Sequence, residues 1–199
     1  MLSAHEPVGL ALLAVAGALA GALNAVAGGG SLITFPSLVA LGLGEKVANA
    51  TNSFALFPGT LSSIAGFRKQ IELVRREMVT LTLPTLVGAA TGTTILLATS
   101  DATFRAVVPV LILFATTLLA LQPRIKDWSR RRSSGLSMGS GIALQFLISV
   151  YGGYFGAGMG ILMLAYLGLL LEVDIHAQNM LKAWLATIIN VVASIEAQE

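Results

Sequence analysis

Three consecutive glycines interrupt the first apolar part of the chain, in the run Ala27, Gly28, Gly29, Gly30 and Ser31. Glycine adopts positive φ and lets other backbone approach closely, so such a run favours a break between two helices. Ser31 is placed to act as the N-cap of the helix that follows. The free N–H groups and the positive dipole end of that helix would suit an anion. The run therefore predicts an anion-binding break, unless its glycines only permit close packing, as Gly17 and Gly21 would.

Polar side chains flank this break within otherwise apolar segments. Asn24 lies four residues before Gly28, and a later segment opens with Asn49, Thr51, Asn52 and Ser53. Amide and hydroxyl groups donate hydrogen bonds, whereas the oxygens of an oxyanion or a sulfonate only accept them. As a cluster these residues favour a binding role. Each one alone could equally be a hydrogen-bonded contact between helices, worth about 0.6 kcal/mol.

A second glycine-rich run, YGGYFGAGMG at residues 151–160, contains Gly158 and Gly160. Beyond it, Asn179 and Lys182 lie three residues apart, which places them on one face of a helix. An ionisable group inside a membrane segment is by default a functional-site hypothesis. Lys182 is also close enough to the start of its segment to snorkel to the interface. These residues predict a second part of the anion site, with that alternative open for Lys182.

Other site chemistries lack the residues they need. The chain contains no Cys and only two His, His5 and His176, which leaves no thiolate site and no metal cluster to expect. All ten acidic residues lie in loops, turns or termini of the predicted segments, so a carboxylate proton relay is not visible. Ser-His-Asp, HExxH and P-loop patterns are missing as well. The sequence therefore predicts neither an enzyme nor a bound cofactor or metal.

The elements that must position these residues belong to a membrane protein. Of the 199 residues, 55% are hydrophobic and 11% are charged, whereas soluble domains carry about 25% charged residues. The mean hydropathy is +0.82. This composition excludes a water-soluble domain and a disordered chain. Long apolar runs without strict alternation also disfavour a β-barrel.

The apolar pattern predicts eight helical segments, at residues 8–27, 31–43, 47–66, 78–98, 105–121, 135–150, 161–171 and 179–195. Two of them, 31–43 and 161–171, are too short to cross a hydrocarbon core of about 30 Å. The polar stretches 67–77 and 122–134 are predicted as loops and hold nine of the twelve Lys and Arg residues. The positive-inside rule places both in the cytoplasm and the N-terminus outside. A cleaved signal peptide is disfavoured, because residues 1–7 contain no Lys or Arg.

Alignment of the chain with itself, so that Gly28 falls on Gly158, reveals a weak internal repeat. The same offset aligns several further identical residues, among them Gly30 with Gly160 and Asn49 with Asn179. Both copies contain a segment, a glycine break, a short apolar run, a polar turn, an Asn and another segment. Five segments precede the second copy, so it is inverted in the membrane, a pattern typical of secondary transporter sites. The fold class predicted is all-α: a polytopic transmembrane helical protein with two inverted repeats and glycine-broken helices.

Two pairs of motifs resemble the sulfite exporter TauE/SafE family. The stretches AGGGSLITFPSL at 27–38 and ANATNS at 48–53 resemble its first repeat, and YGGYFGAGMGIL at 151–162 with NMLK at 179–182 is similar to its second. The resemblance covers nearly the whole chain and implies a permease for small sulfur-containing anions such as sulfite, sulfoacetate or sulfonates. Family members usually continue with two further spans. The chain is therefore interpreted as C-terminally truncated, without counterparts of 78–98 and 105–121.

These patterns predict a first transmembrane repeat at 1–121, a basic cytoplasmic loop at 122–134 and an incomplete, inverted second repeat at 135–199. The predicted function is a permease in the cytoplasmic membrane that moves a small anion, a sulfur oxyanion or an organosulfonate. The alternative is a non-transporting membrane scaffold, or a degenerate truncated family member that acts only through helix association.

The substrate-binding residues expected are those at the two breaks: Asn24, Gly28, Gly29, Gly30, Ser31, Asn49, Thr51, Asn52, Gly158, Gly160, Asn179 and Lys182. We expect the two breaks to meet near the bilayer midplane and to face each other across one cavity. The expected partners are a small anionic substrate and the lipid bilayer. Nucleic acid is not expected, because the basic residues follow membrane topology. A homo-oligomer is compatible with the sequence, which leaves the oligomeric state open.

Overall fold

The computed structural model describes residues 7–26, 28–131 and 135–196. Within this part of the chain the backbone forms α-helices joined by short turns and contains no strand, which confirms the all-α class. In chain order the helices are α1 (Pro7–Val26), α2 (Ser31–Ala40), α3 (Glu45–Phe67), α4 (Ile71–Ala98), α5 (Asp101–Arg131), α6 (Met138–Tyr154), α7 (Met159–Leu170) and α8 (Ile175–Glu196).

Helix length separates two groups of elements. Within the described residues, two helical stretches are long and apolar enough to cross a bilayer, Glu45–Ala98, which comprises α3 and α4, and Asp101–Ile125. By contrast, α2 has 10 residues and α7 has 12, so at 1.5 Å per residue they reach only about 15 and 18 Å. Both short helices directly follow a glycine break, as the sequence predicted.

The helices extend further than the apolar pattern predicted. A single 3-10 turn, Arg68–Gln70, joins α3 to α4, so most of the loop predicted at 67–77 is helical. Helix α5 continues to Arg131, and the loop predicted at 122–134 is therefore helical over its described part. Residues 132–134 lie outside the described residues. Hydropathy marks where a helix leaves hydrocarbon, whereas Arg, Lys, Gln and Glu remain good helix formers in water.

Close backbone contact holds α4 against α6. A Cβ atom on Gly88 would lie 2.6 Å from the carbonyl oxygen of Phe146, and one on Gly92 would overlap the carbonyl oxygen of Val150. From the other side, Gly153 faces backbone of α4 at similarly short range. Apolar side chains gain nothing by leaving lipid for one another, so helices in a membrane associate through such close packing. These glycines therefore determine how closely the two helices approach.

The glycines of α1 have a different environment. A Cβ atom added to Gly17 or Gly21 would meet no atom of the described residues within 4 Å. The close packing considered for these two glycines from sequence is therefore wrong for this structure. Instead α1 packs near its C-terminal end, where a Cβ atom on Gly30 would lie 2.5 Å from the carbonyl oxygen of Ala20. The first break thus folds back against the helix that precedes it.

A buried polar network joins α4, α6 and α7. The side chain of Gln145 is fully buried, and its Nε2 donates to Thr85 Oγ1 at 2.9 Å and to Ser149 Oγ at 3.0 Å. Its Oε1 accepts a hydrogen bond from the Tyr166 hydroxyl at 2.6 Å. Both the oxygen and the nitrogen of this amide have partners, as buried polar groups require. We interpret the network as a structural contact between helices rather than as a ligand site.

Contacts at the helix ends fix the relative directions of the helices. Arg105 Nε lies 3.1 Å from Glu45 Oε1 and Lys46 Nζ lies 3.5 Å from Asp101 Oδ1, so the starts of α3 and α5 are neighbours. At the opposite end of α3, the ring centroid of Phe67 is 5.9 Å from that of His176 at the start of α8. Since α3 and α8 also pack against each other, they run antiparallel.

The α4–α6 contact predicts a stability difference between two glycines. We expect Gly92→Ala to lower the Tm of the detergent-purified protein, because the new methyl group requires backbone of α6 to move. Gly59→Ala on α3 is the matched control: nothing lies within 4 Å of its added Cβ, and alanine favours helix. Its Tm should be unchanged or higher. Equal effects of the two variants would contradict the close contact.

Candidate functional site

A small cavity lies where the two glycine breaks meet. Backbone from the end of α1 and the starts of α2 and α7 bounds it, together with the middle parts of α3 and α8. Its volume is about 20 Å³, which leaves room for one or two water molecules. The polar side chains in its lining are Asn24, Ser31, Thr60, Ser63, Lys182 and Asn190. The cavity therefore combines one basic group with amides and hydroxyls.

Contact between glycines brings the two breaks together. A Cβ atom on Gly28 would lie 2.6 Å from the Cα of Gly160, and the reverse distance is also 2.6 Å. Gly28 has φ +81°, and Gly158 has φ +79°. Positive φ and the lack of a side chain are thus both required at Gly28. The two breaks therefore meet, as the sequence predicted, and Gly28 and Gly160 both line the cavity.

The side chain of Lys182, on α8, lies beside the C-terminal end of α1. Only 5% of its surface is exposed, and its Nζ donates a hydrogen bond to the backbone oxygen of Asn24 at 3.1 Å. The last carbonyls of a helix carry negative partial charge, so a cation is favourable there. The side chain points into the protein and lines the cavity, which decides against the snorkelling alternative. Lys182 is therefore a positive charge held beside the cavity by a helix end.

Ser31 has a different local role from the one predicted. The N-cap of α2 is Gly30, which makes no side-chain capping bond, and Ser31 is the first helical residue. The prediction of Ser31 as the N-cap is therefore wrong, because the helix already includes the serine and begins one residue earlier than a serine cap would require. Its side chain is buried and lines the cavity. The hydroxyl is thus placed beside the cavity rather than over the end of its own helix.

The remaining predicted residues do not line the cavity. Asn49 donates to the backbone oxygen of Tyr154 at 3.1 Å, and Asn179 donates to the backbone oxygen of Ile175 at 2.9 Å. Asn52 accepts a hydrogen bond from the hydroxyl of Thr34. These three asparagines are buried at the ends and sides of neighbouring helices. They lie around the breaks, but the cavity itself is formed by other side chains.

Two glycines and one threonine complete this account of the predicted residues. Gly29 is buried, and a Cβ atom added to it would lie 3.4 Å from the side chain of Leu119. A Cβ atom added to Gly158 would lie 3.4 Å from the side chain of Ala115. Both glycines serve the packing of the breaks against α5. Thr51 is exposed on the outer surface of α3, so the structure does not bring it to the cavity.

The sequence analysis missed Thr60 and Asn190, which line the cavity from α3 and α8. Their exposed fractions are 2% and 4%, and Asn190 Nδ2 has no hydrogen-bond partner among the described residues. The two positions are related by the same offset that aligns Gly28 with Gly158. The offset could therefore have identified this pair. The signal was hidden because the offset relates Thr to Asn here rather than two identical residues.

The described residues form helices around two glycine breaks and a polar cavity, an arrangement consistent with an all-α membrane protein. Residues 13–197 match the family model described as "Sulfite exporter TauE/SafE". The chain belongs to the TauE/SafE family.

Curated relatives have the same general description. A "Probable membrane transporter protein" of Haemophilus influenzae is 30% identical over 154 residues, which is 77% of this chain and 60% of that protein. The "Probable membrane transporter protein YfcA" of Escherichia coli K12 is 29% identical over 162 residues, 78% of this chain and 57% of the relative. A Sinorhizobium relative, "Probable membrane transporter protein ORF9", is 27% identical over 151 residues, 76% of this chain and 58% of its own length. The matches thus span somewhat more than half the length of these relatives, and no solved structure matches the chain significantly.

The contact between the breaks predicts a marked difference between two glycines that both have positive φ. Gly28→Ala should destabilise the protein strongly, because its methyl group would collide with backbone at Gly160. Gly42, with φ +94° and open space around it, is the matched control. Its alanine variant carries only the backbone strain, of order 1 kcal/mol. Thermal unfolding in detergent measures both, and similar losses would show that the contact contributes nothing.

Proposed function

We propose that this chain is a multi-spanning permease of the cytoplasmic membrane, that it is not an enzyme, and that it moves a small sulfur oxyanion or organosulfonate. The observation that carries the proposal is the buried ammonium group of Lys182 beside a polar cavity between two broken helices. An ionisable side chain is costly inside a membrane protein and typically marks a substrate or ion pathway. The family and the relatives support a membrane transporter in general.

The charge balance of the cavity favours an anion. Lys182 supplies a positive charge, and among the described residues no Asp or Glu contributes to the lining. Asn190 adds an amide donor that no described group engages. An oxyanion offers only acceptors, so it would satisfy this amide and would interact favourably with the ammonium group. A neutral solute would not balance the charge of Lys182, and a cation would not accept a hydrogen bond from the Asn190 amide.

The hydroxyl groups suit an oxyanion with several oxygens. Thr60 Oγ1 donates to the backbone oxygen of Phe57 at 2.8 Å, and Ser63 Oγ donates to that of Gly59 at 3.0 Å. Rotation of these hydroxyls would redirect their protons to a bound anion, at the cost of a weak bond within the helix. Ser31 lines the cavity from another helix, α2. Donors on several sides match the oxygens of sulfite or a sulfonate group better than a spherical halide.

The proposed orientation follows from the charged ends of the bundle. Arg68, Lys69, Arg75 and Arg76 lie at the end where α3 meets α8, and we place this end in the cytoplasm. The ion pairs of Glu45 with Arg105 and of Lys46 with Asp101 then lie at the outer face. The N-terminus would lie outside, as the sequence predicts.

Two inverted repeats remain part of the proposal. In each of the sets α1–α3 and α6–α8 a long helix is followed by a glycine break, a short helix, a turn and a long helix. Within each set the first helix packs on the second and the second on the third. The cavity has room for one or two water molecules, so a polyatomic anion requires the walls to separate. Movement of one set against the other would provide that space.

Replacement of Lys182 tests the anion site. Lys182→Met keeps most of the length of the side chain but removes the charge, and we expect sulfite binding to weaken about 10- to 100-fold, since a charge-assisted hydrogen bond contributes about 1.5–3 kcal/mol. Uptake of radiolabelled sulfite into proteoliposomes and equilibrium binding measure the effect. Lys69→Met, at an exposed position, is the control and should behave like the parent. A folded parent chain that neither binds nor moves sulfite or sulfoacetate would instead favour the scaffold alternative.

Asn190 provides a second, nearly isosteric test. Asn190→Asp adds a negative charge to the cavity lining without a change in volume, so anion binding should be lost or reduced more than 10-fold. Asn179→Asp is the control, because Asn179 is also buried on α8 but does not line the cavity. It should bind the anion more tightly than Asn190→Asp at equal yield of folded protein. The opposite order would place the anion near Asn179.

A further inference from the structure

Two buried asparagines each have an amide oxygen that no described residue engages. Asn49 and Asn179 are 3% and 6% exposed, and neither Oδ1 atom accepts a hydrogen bond from the described residues. Their amide orientations are fixed, because each Nδ2 must face a backbone carbonyl oxygen, of Tyr154 and of Ile175 respectively. A buried acceptor without a donor is costly. Such an oxygen points to a ligand that offers positive charge or a proton.

The offset that aligns the two glycine breaks also relates the surroundings of these asparagines. It pairs Asn49 with Asn179, Asn52 with Lys182, and Asn24 with Tyr154. Near the end of α1, the Lys182 ammonium donates to the backbone oxygen of Asn24. At the end of α6, the corresponding backbone oxygen of Tyr154 accepts a hydrogen bond from the neutral amide of Asn49. A fixed cation at one helix end thus corresponds to neutral amides at the other.

Both carbonyls belong to the C-terminal turn of a broken helix, where negative partial charge accumulates. For α1 that charge is balanced by Lys182. The last turn of α6 has no basic residue, and the residue that corresponds to Lys182 is Asn52. The end of α6 therefore corresponds to the end of α1, but side-chain amides lie there instead of a cationic side chain. Asn52 itself is 2% exposed and accepts from Thr34.

We propose that the end of α6 binds a monovalent metal cation of the Na⁺ class, with Asn49 Oδ1 and the Tyr154 backbone oxygen as its principal ligands. Half-helix C-terminal ends and unwound carbonyls are the groups that hold coupling cations in broken-helix transporters. The ligands are neutral oxygens, and within the described residues no three His, Asp or Glu side chains form a metal-binding group. Divalent cations are bound chiefly by carboxylates, so a monovalent ion fits better. This cation site is separate from the anion cavity.

The test uses the purified chain in detergent with Na⁺ as the only variable and chloride as the only anion. We expect the Tm to be higher in NaCl than in choline chloride of equal concentration, because a bound ion stabilises the folded state. Asn49→Leu should lose this Na⁺-dependent shift. Asn179→Leu removes the corresponding amide on α8, three residues before Lys182. This variant should retain the Na⁺-dependent shift. No shift in the parent, or a shift lost only in Asn179→Leu, would overturn the proposal.

Two further variants guard against misfolding. Asn52→Lys introduces a tethered ammonium group at the position that corresponds to Lys182, so a folded protein should lose its dependence on Na⁺. Asn49→Asp keeps an oxygen ligand and should retain or strengthen the Na⁺ shift. A variant Asn52→Lys that still responds to Na⁺ like the parent would contradict the site. Because no sulfur anion is present in these measurements, failure of the cation site is distinguishable from failure of the anion site.

Discussion

The contact of Gly28 with Gly160 is the constraint on which the rest of the structure depends. With an added Cβ only 2.6 Å from backbone of the other break, no other residue fits there without displacement of a helix. This contact places the end of α1 and the start of α7 side by side, and the cavity exists because both helices stop there. Irregular backbone inside a membrane protein needs either protein or a polar cavity around it. At this place the structure provides both.

Electrostatics at the helix ends gives the two halves different chemistry. One broken helix ends against the ammonium group of Lys182, and its counterpart ends against the amide of Asn49. The two helix ends correspond in sequence position, but the charge of the groups that face them differs. The proposed anion site therefore has a fixed positive charge, whereas the proposed cation site has neutral oxygens. The distinction arises because Lys182 stands in the second half where the first half has Asn52, at positions that the offset between the breaks relates.

The bundle combines a tightly packed part with a smaller polar cavity. Between α4 and α6, glycines bring backbone into direct contact, and the fully paired network around Gln145 lies between the same helices. Neither feature leaves room or a free donor for a ligand. At the cavity, by contrast, the lining includes one buried polar atom that the described residues leave unsatisfied, Asn190 Nδ2. The residues that hold α4 against α6 are thus different from those that line the cavity.

The sequence alone determined the membrane class, the all-α fold and the short helices after each glycine break, because hydropathy and glycine are local signals. The binding roles of Gly28, Gly160 and Lys182 stay predictions. The sequence did not determine where helices end in water, since hydropathy reports the bilayer boundary and not the helix boundary. Only the tertiary structure decided that Thr51 faces outward, that Ser31 is not a cap, and that Thr60 and Asn190 line the cavity. Which face of a helix meets the cavity depends on how α3 and α8 pack together, and that arises from contacts between residues far apart in the chain.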